Sequence, residues 1–167
     1  MMYLKKILST EATNINIAKV QDLLADTPVK LESLRKGFSV EQLRQPLGSG
    51  ERSLTEDLAH LINCEARSSE AIYLALLADE PLFVDIHPER HLGKLLRYDL
   101  LAFSDLLGYF RLRRIVLLHV LGSLTKEQWS RSIREAGKKR KESVYRRARS
   151  IAVHELEHLL DMERKIS

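Results

Sequence analysis

The sequence has few of the residues that interrupt helices or cross-link a chain. Its 167 residues include 7 glycines, 4 prolines and a single cysteine, Cys64. One cysteine excludes a disulfide within the chain and is typical of a reducing compartment, so we expect a cytoplasmic protein. No stretch approaches the ~18 uncharged apolar residues of a membrane span. The segment Met1–Thr10 lacks the features of a signal peptide, so we expect no membrane partner.

Strand signals are nearly absent as well. Leu82-Phe83-Val84 is the only short run of that kind, whereas Leu, Ala, Glu, Arg and Lys dominate the composition and favour helices. Apolar residues make up 44% of the chain, enough for a sizeable core in one domain spanning residues 1–167. The composition therefore predicts an all-α domain.

Apolar residues recur at helical spacing in four long stretches. Thr27-Pro28 predicts that the chain restarts a helix there, and Ser39, Ser53 and Thr125 each begin a capping box. Together these signals predict an antiparallel four-helix bundle with short additional helices in the connections. The four long helices are expected over residues 14–25, 54–78, 92–121 and 143–163.

Three histidines form the most informative pattern. His154 and His158 are four residues apart, which places both imidazoles on one face of the last predicted helix. His60 lies on the second helix beside the small residues Cys64 and Ser68, which leave room for an ion or ligand. A three-nitrogen metal site of this kind is typical of catalytic zinc centres, although such a pair also occurs on helix surfaces by chance. Cys64 is one turn from His60 and is a candidate soft ligand, but a small buried residue is the favoured interpretation.

A metal-bound imidazole needs an acceptor for its other ring nitrogen. The acids that helical spacing places near the histidines are candidates for this role, and solvated surface acids are the alternative reading. These acids are Asp57, Glu65, Glu155 and Asp161. No residue is assigned a catalytic role from the sequence.

Positive charge is concentrated near the last helix. The segment Arg131–Arg149 contains nine basic and two acidic residues, within a chain of net charge +4. Such a run attracts polyanions weakly, but specific recognition of nucleic acid needs side chains aimed at base edges. We therefore expect no specific nucleic-acid partner, and a solvated loop followed by the start of a helix is the simplest interpretation of the segment.

Several short motifs, in this order, resemble the DinB/YfiT-like superfamily of metal-dependent enzymes. Leu23–Pro28 is similar to a first-helix segment of that family. Arg52–Leu61 is similar to its W-S-x-x-E-x-x-x-H-L motif, and Leu124–Trp129 to its L-T-x-E-x-W turn. Ala152–Leu159 resembles the closing H-x-x-x-H. The motifs extend over about residues 20 to 163.

The resemblance implies a four-helix bundle that holds a divalent metal ion, commonly zinc or nickel, through His60, His154 and His158. It also implies a small-molecule substrate, with a low-molecular-weight thiol as one candidate, because the family includes thiol-dependent transferases and hydrolases. Arg52 stands where the family has tryptophan, Glu157 where a histidine is frequent and Asp161 where glutamine is common. The resemblance therefore predicts a metal site but does not extend to the substrate pocket.

Two functions are therefore carried forward. The first is a metal-dependent enzyme, either a thiol-dependent transferase or a hydrolase. The alternative is a non-catalytic, metal-containing bundle that acts as a binding or stress-response module for an anionic partner. A homodimer is kept open as the assembly.

Overall fold

The computed structural model describes residues 8–84 and 86–166. The expectation that Met1–Thr10 contains no signal peptide falls largely outside these residues. None of the described helices combines the length and the apolar character needed to cross a membrane.

Four long helices form the body of the protein, and the predicted four-helix bundle is confirmed. α4 and α6, as defined below, each pack against both α1 and α2. Two short helices, α3 and α5, lie in the connections, as expected. The α-helices of the described residues are α1 (Asn14–Arg35), α2 (Leu54–Leu77), α3 (Lys94–Leu96), α4 (Phe103–Gly122), α5 (Lys126–Ser130) and α6 (Val144–Ile166).

Local capping chemistry fixes where several elements begin. Ser53 accepts a hydrogen bond from the Glu56 backbone N–H and the Glu56 carboxylate accepts from the Ser53 N–H, which closes the predicted capping box of α2. Thr125 and Gln128 form the same reciprocal pair at α5. Ser39 and Gln42 also bond reciprocally, but they begin only a 3₁₀ turn, Gln42–Arg44.

The first helix is longer than the sequence suggests. Thr27-Pro28 does not restart the chain; α1 runs through Pro28 without a break. Proline cannot donate to the carbonyl four residues earlier, so the Leu24 oxygen loses its helical partner. The Arg114 guanidinium of α4 donates to that oxygen at 2.7 Å. A tertiary contact therefore compensates for the bond that proline removes.

The predicted helix over residues 92–121 is also wrong in one respect: it is interrupted. A π-helical turn, Pro88–Gly93, leads into α3, and a 3₁₀ turn, Tyr98–Leu100, follows. Arg97 adopts a left-handed conformation with φ of +47°, which ends α3 and redirects the chain. The long helix α4 starts only at Phe103.

The basic segment is more ordered than the expected loop. It includes β2 (Ser132–Glu135) and β3 (Glu142–Ser143), which pair antiparallel, and β1 (Leu82–Phe83) pairs parallel with β2. The strand run noted in the sequence is therefore real, though short. In register, Leu82 lies opposite Arg134 and Ile133 opposite Glu142.

Two apolar clusters fill the bundle, and a layer of buried charges separates them. One cluster includes Leu24, Leu117 and Ile151, and the other includes Leu58, Phe110 and Leu159. Between them lie three charged side chains, each at most 2% exposed, which we call the ion-pair layer. The ion-pair layer consists of Glu65, Arg114 and Glu155.

Arg114 is the centre of the ion-pair layer. Its two terminal nitrogens bond the two carboxylate oxygens of Glu155 at 2.9 and 2.5 Å, and one of them lies 3.7 Å from Glu65. Burial acts to lower the pKa of Arg114, but the charges and hydrogen bonds of Glu155 and Glu65 raise it above its usual value. Burial raises the pKa of Glu65 to about 7, against the opposing charge of Arg114.

We expect Arg114→Met to lower the free energy of unfolding by about 3–5 kcal/mol, because it leaves buried carboxylates without a counter-charge. Urea unfolding followed by circular dichroism measures this change. Adding Glu155→Leu should recover part of the loss, since removing both partners of a buried ion pair costs less than removing one. A single variant as stable as the wild type would contradict this role for Arg114.

Candidate metal centre

The bundle brings the three predicted histidines together. α2 provides His60, and α6 provides His154 and His158 on successive turns. The ring centroids lie 5.1 Å apart for His60 and His154, 4.7 Å for His60 and His158, and 4.6 Å for His154 and His158. One nitrogen from each ring lies within 4.8 Å of the other two, and among the described residues only these three form such a group.

The spacing of the nitrogens fits a shared ion. His60 Nε2 and His154 Nε2 are 3.2 Å apart. Two nitrogens bound to one zinc ion at tetrahedral geometry are separated by about 3.3 Å, given bonds of about 2.0–2.1 Å. The side chains are partly buried, so a bound ion would be shielded from bulk water on one side.

Burial keeps two of the imidazoles neutral. It lowers the pKa of His60, although the hydrogen bond that His60 donates to Glu89 acts in the opposite direction. Burial, followed by the charges of His158 and His60, lowers the pKa of His154 to about 4. At neutral pH these rings therefore present lone pairs, which metal coordination requires.

The acid that orients His60 is one that the sequence did not single out. Glu89, at the start of the π-helical turn, lies with Oε1 2.6 Å from His60 Nδ1. Because a carboxylate can only accept, Nδ1 carries the proton and Nε2 is left with the lone pair that faces His154. This is the usual support for a metal-binding histidine. Glu89 is 29 residues from His60, so no local spacing could indicate it.

The four predicted acids lie in different places. Asp57 Oδ1 is 3.7 Å from His158 Nδ1, which places it beside the cluster. Glu65 and Glu155 belong to the ion-pair layer, where their partner is Arg114. Asp161 is bonded to Arg164 and Lys165. Their role as acceptors for metal ligands stays a prediction, and Asp57 has the most suitable position.

Arg52 and Cys64 border the histidine cluster. Arg52, which replaces the tryptophan of the motif, lies 3.6 Å from Asp57 and 3.7 Å from Glu89, so its charge faces both acids. The Cys64 thiol is 3.7 Å from His60 Nε2 but lies outside the group of mutually close ligand atoms. Burial raises the pKa of this thiol to about 12, in keeping with a small buried residue.

Cavities open on both sides of the histidines. A cavity of about 500 Å³ is lined by His60, Asn63, Glu89, Arg90 and Lys94, among others. A second, of about 270 Å³, is lined by His154, Cys64 and Glu65. The first has a volume typical of small-molecule sites.

The class that the fold and the site define is a four-helix bundle with three histidines placed where they could hold a metal ion. The family model of the DinB superfamily matches residues 23–162, and the chain belongs to that superfamily. No curated protein matches the chain.

One solved structure with the same fold is YfiT from Bacillus subtilis. It is described as a probable metal-dependent hydrolase with an unusual four-helix bundle topology. The TM-score is 0.82 at 17% sequence identity, over 95% of this chain and 91% of that one. The resemblance found in the sequence is thus confirmed at the level of family and fold.

We expect the purified protein to bind about one divalent ion per chain and His154→Ala to lose tight binding, because two histidines rarely hold such an ion. Metal analysis after dialysis measures the stoichiometry, with His119→Ala as a control for removal of an exposed histidine outside the cluster. Unchanged stoichiometry in His154→Ala would rule out the assignment.

His60→Ala should keep the helical circular dichroism spectrum, since the apolar clusters provide most of the stability.

We expect Glu89→Ala to weaken zinc affinity by about 10–100-fold, because His60 loses the acceptor that orients it. Glu89→Gln keeps an acceptor oxygen without the charge, so its affinity should lie between those of Glu89→Ala and the wild type. Competition with a chromophoric chelator measures the affinities, and Glu70→Gln, an exposed change on α2, is the control. Wild-type affinity in both Glu89 variants would show that Glu89 does not support the site.

Proposed function

We propose that the protein is a divalent-metal-dependent enzyme that acts on a small molecule, and that hydrolysis is its reaction class. The proposal is supported above all by the position of the histidine cluster, which borders a cavity of about 500 Å³ through His60. A closed structural site would not need such a cavity. The description of YfiT as a probable hydrolase supports the same class.

His60, His154 and His158 are the residues that would hold the ion. Three imidazole nitrogens suit zinc or nickel, the two metals that the family resemblance favours. When bound, such an ion lowers the pKa of a coordinated water or thiol, which makes a nucleophile available near neutral pH. Glu89 fixes the ring of His60 through Nδ1, and Arg52 holds Glu89 and Asp57 by charge.

The cavity lining indicates what kind of molecule it binds. Three acids of the lining already have partners: Glu89 bonds His60, Glu56 bonds the Ser53 N–H and Asp99 bonds Arg97. Arg90 and Lys94, both exposed, form no ion pair with the described residues. The lining has four cationic and three acidic side chains, a net charge of +1, and its two cations without an ion pair are exposed, which favours a substrate bearing an anionic group such as a carboxylate.

Asn63 adds a second requirement. It is 3% exposed, lies one turn after His60 and lines the same cavity. Its Oδ1 has no hydrogen-bond donor among the described residues. A buried acceptor without a partner is costly, and a turn of the Asn63 amide that brings Oδ1 to the cavity would let a substrate N–H group donate a hydrogen bond to it. A carboxylate-bearing amide satisfies both Asn63 and the two cations.

The test is a screen of the metal-loaded protein against carboxylate-bearing amides and esters and their uncharged analogues. A parallel screen adds a low-molecular-weight thiol and an electrophile, because thiol-dependent transfer could use the same site. We expect hydrolysis that needs no thiol, is lost in His154→Ala and is unchanged in Glu70→Gln. Turnover only with thiol would instead assign a transferase, and no turnover with either set would favour a binding module.

A further inference from the structure

The cavity at His154 differs in character from the cavity at His60. Its volume of about 270 Å³ lies just below the range of complete small-molecule sites, so it suits one portion of a molecule. Small side chains on α2 leave this space, and apolar side chains form part of its wall. The small residues are Cys64 and Ser68, and the apolar residues are Leu61, Pro88 and Ile151.

The cations of this lining already have partners. Arg67, Lys138 and Arg147 lie 2.6, 3.0 and 2.6 Å from the carboxylate of Glu135. Arg147 also lies 2.8 Å from Glu142. Burial acts to raise the pKa of Glu135, but hydrogen bonds from the three cations lower it to about 2. These positive charges are therefore used within the protein and give the cavity little attraction for an anion.

Glu65 is in the opposite situation. It is 1% exposed, and neither of its carboxylate oxygens accepts a hydrogen bond from the described residues. Arg114 and Arg113 lie 3.7 and 3.8 Å away, too far for a hydrogen bond. Arg114 bonds Glu155 instead, and Arg113 bonds Ser69. Since no hydrogen bond holds the Glu65 carboxylate, a turn of its side chain that brings an oxygen to the cavity breaks none.

We propose that the cavity at His154 binds a primary ammonium group and that Glu65 is its counter-ion. An ammonium group provides three N–H donors and a positive charge, so it can satisfy a carboxylate. Its bonds to a carboxylate are charge-assisted and stronger than those of a neutral hydroxyl. Burial raises the pKa of Glu65 to about 7 despite the charge of Arg114, which agrees with a carboxyl group that lacks sufficient positive charge nearby.

The two cavities together define the polarity of a substrate. They begin at neighbouring rings, since the centroids of His60 and His154 are 5.1 Å apart. The cavity at His60 has the exposed cations Arg90 and Lys94, and the cavity at His154 has Glu65. An amide with a carboxylate on its acyl portion and an ammonium on its amine portion matches both. This extension rests on the proposed function, whereas binding of an ammonium group to Glu65 does not.

Isothermal titration calorimetry of the purified protein with butylammonium, and with butanol as the neutral analogue, tests the ammonium site. We expect butylammonium to bind more tightly, and Glu65→Gln to weaken its binding by about tenfold or more without changing the affinity for butanol. Glu70→Gln, an exposed change of the same kind on α2, is the control. Equal affinities for the two ligands, or wild-type affinity for butylammonium in Glu65→Gln, would overturn the proposal.

A second variant covers a possible loss of folding, because Glu65 also belongs to the ion-pair layer. Ser68→Leu fills the cavity without changing a charge, so it should block both ligands while the circular dichroism spectrum stays helical. Binding of butylammonium to Ser68→Leu with wild-type affinity would contradict the site.

Cys64 reports where the ligand binds, because it is the only cysteine of the chain and lines this cavity. Butylammonium should slow alkylation of Cys64 by iodoacetamide in the wild type but not in Glu65→Gln. Alkylation at the same rate with and without bound butylammonium would place the ligand elsewhere and exclude the site.

The substrate polarity is tested separately, by steady-state kinetics on pairs of carboxylate-bearing amides with and without an ammonium on the amine portion. We expect a lower KM for the ammonium member of each pair, and loss of that difference in Glu65→Gln. Hydrolysis without this preference would overturn the assigned polarity. No turnover of any amide would contradict the proposed function instead, and calorimetry and alkylation would then decide the ammonium site alone.

Discussion

The bidentate pair between Arg114 and Glu155 is the interaction on which the rest of the structure depends. It joins α4 to α6, and the same guanidinium bonds the Leu24 carbonyl of α1 that Pro28 leaves without a donor. Because neighbouring residues on a helix are rotated by about 100°, turning Glu155 toward α4 fixes the rotation of α6 about its axis. That rotation directs His154 and His158 toward α2, so the buried ion pair and the metal centre are consequences of one orientation.

The basic segment stabilises the protein itself. Arg131 donates to the carbonyls of Ala75 and Ala78 at the end of α2, where helix carbonyls lack partners. Arg147 pairs with Glu135 and Glu142, and Lys141 pairs with Glu80. These contacts attach the β-hairpin to the bundle. Since so much of the charge is used internally, an anionic macromolecular partner is less well supported than a small substrate at the metal centre.

What the sequence could predict was set by local interactions. The spacing of His154 and His158 and the caps at Ser53 and Thr125 depend on residues within one turn, and all are found as expected. The errors concern distant partners. Pro28 stays within a helix because Arg114, 86 positions later, replaces its missing bond, and Glu89 reaches His60 across 29 residues. Neither partner is marked by periodicity, because a tertiary contact leaves no pattern in one sequence.

Buried polar atoms without hydrogen bonds are rare in folded proteins, and their positions are therefore informative. Here Asn63 Oδ1 and both carboxylate oxygens of Glu65 are of this kind among the described residues. Asn63 lines the cavity at His60, and Glu65 lines the cavity at His154. Other unsatisfied atoms of the described residues lie on Arg113, Arg114, Arg147 and Glu157, but Asn63 and Glu65 are placed where a ligand in a cavity beside the histidines could supply the missing partner.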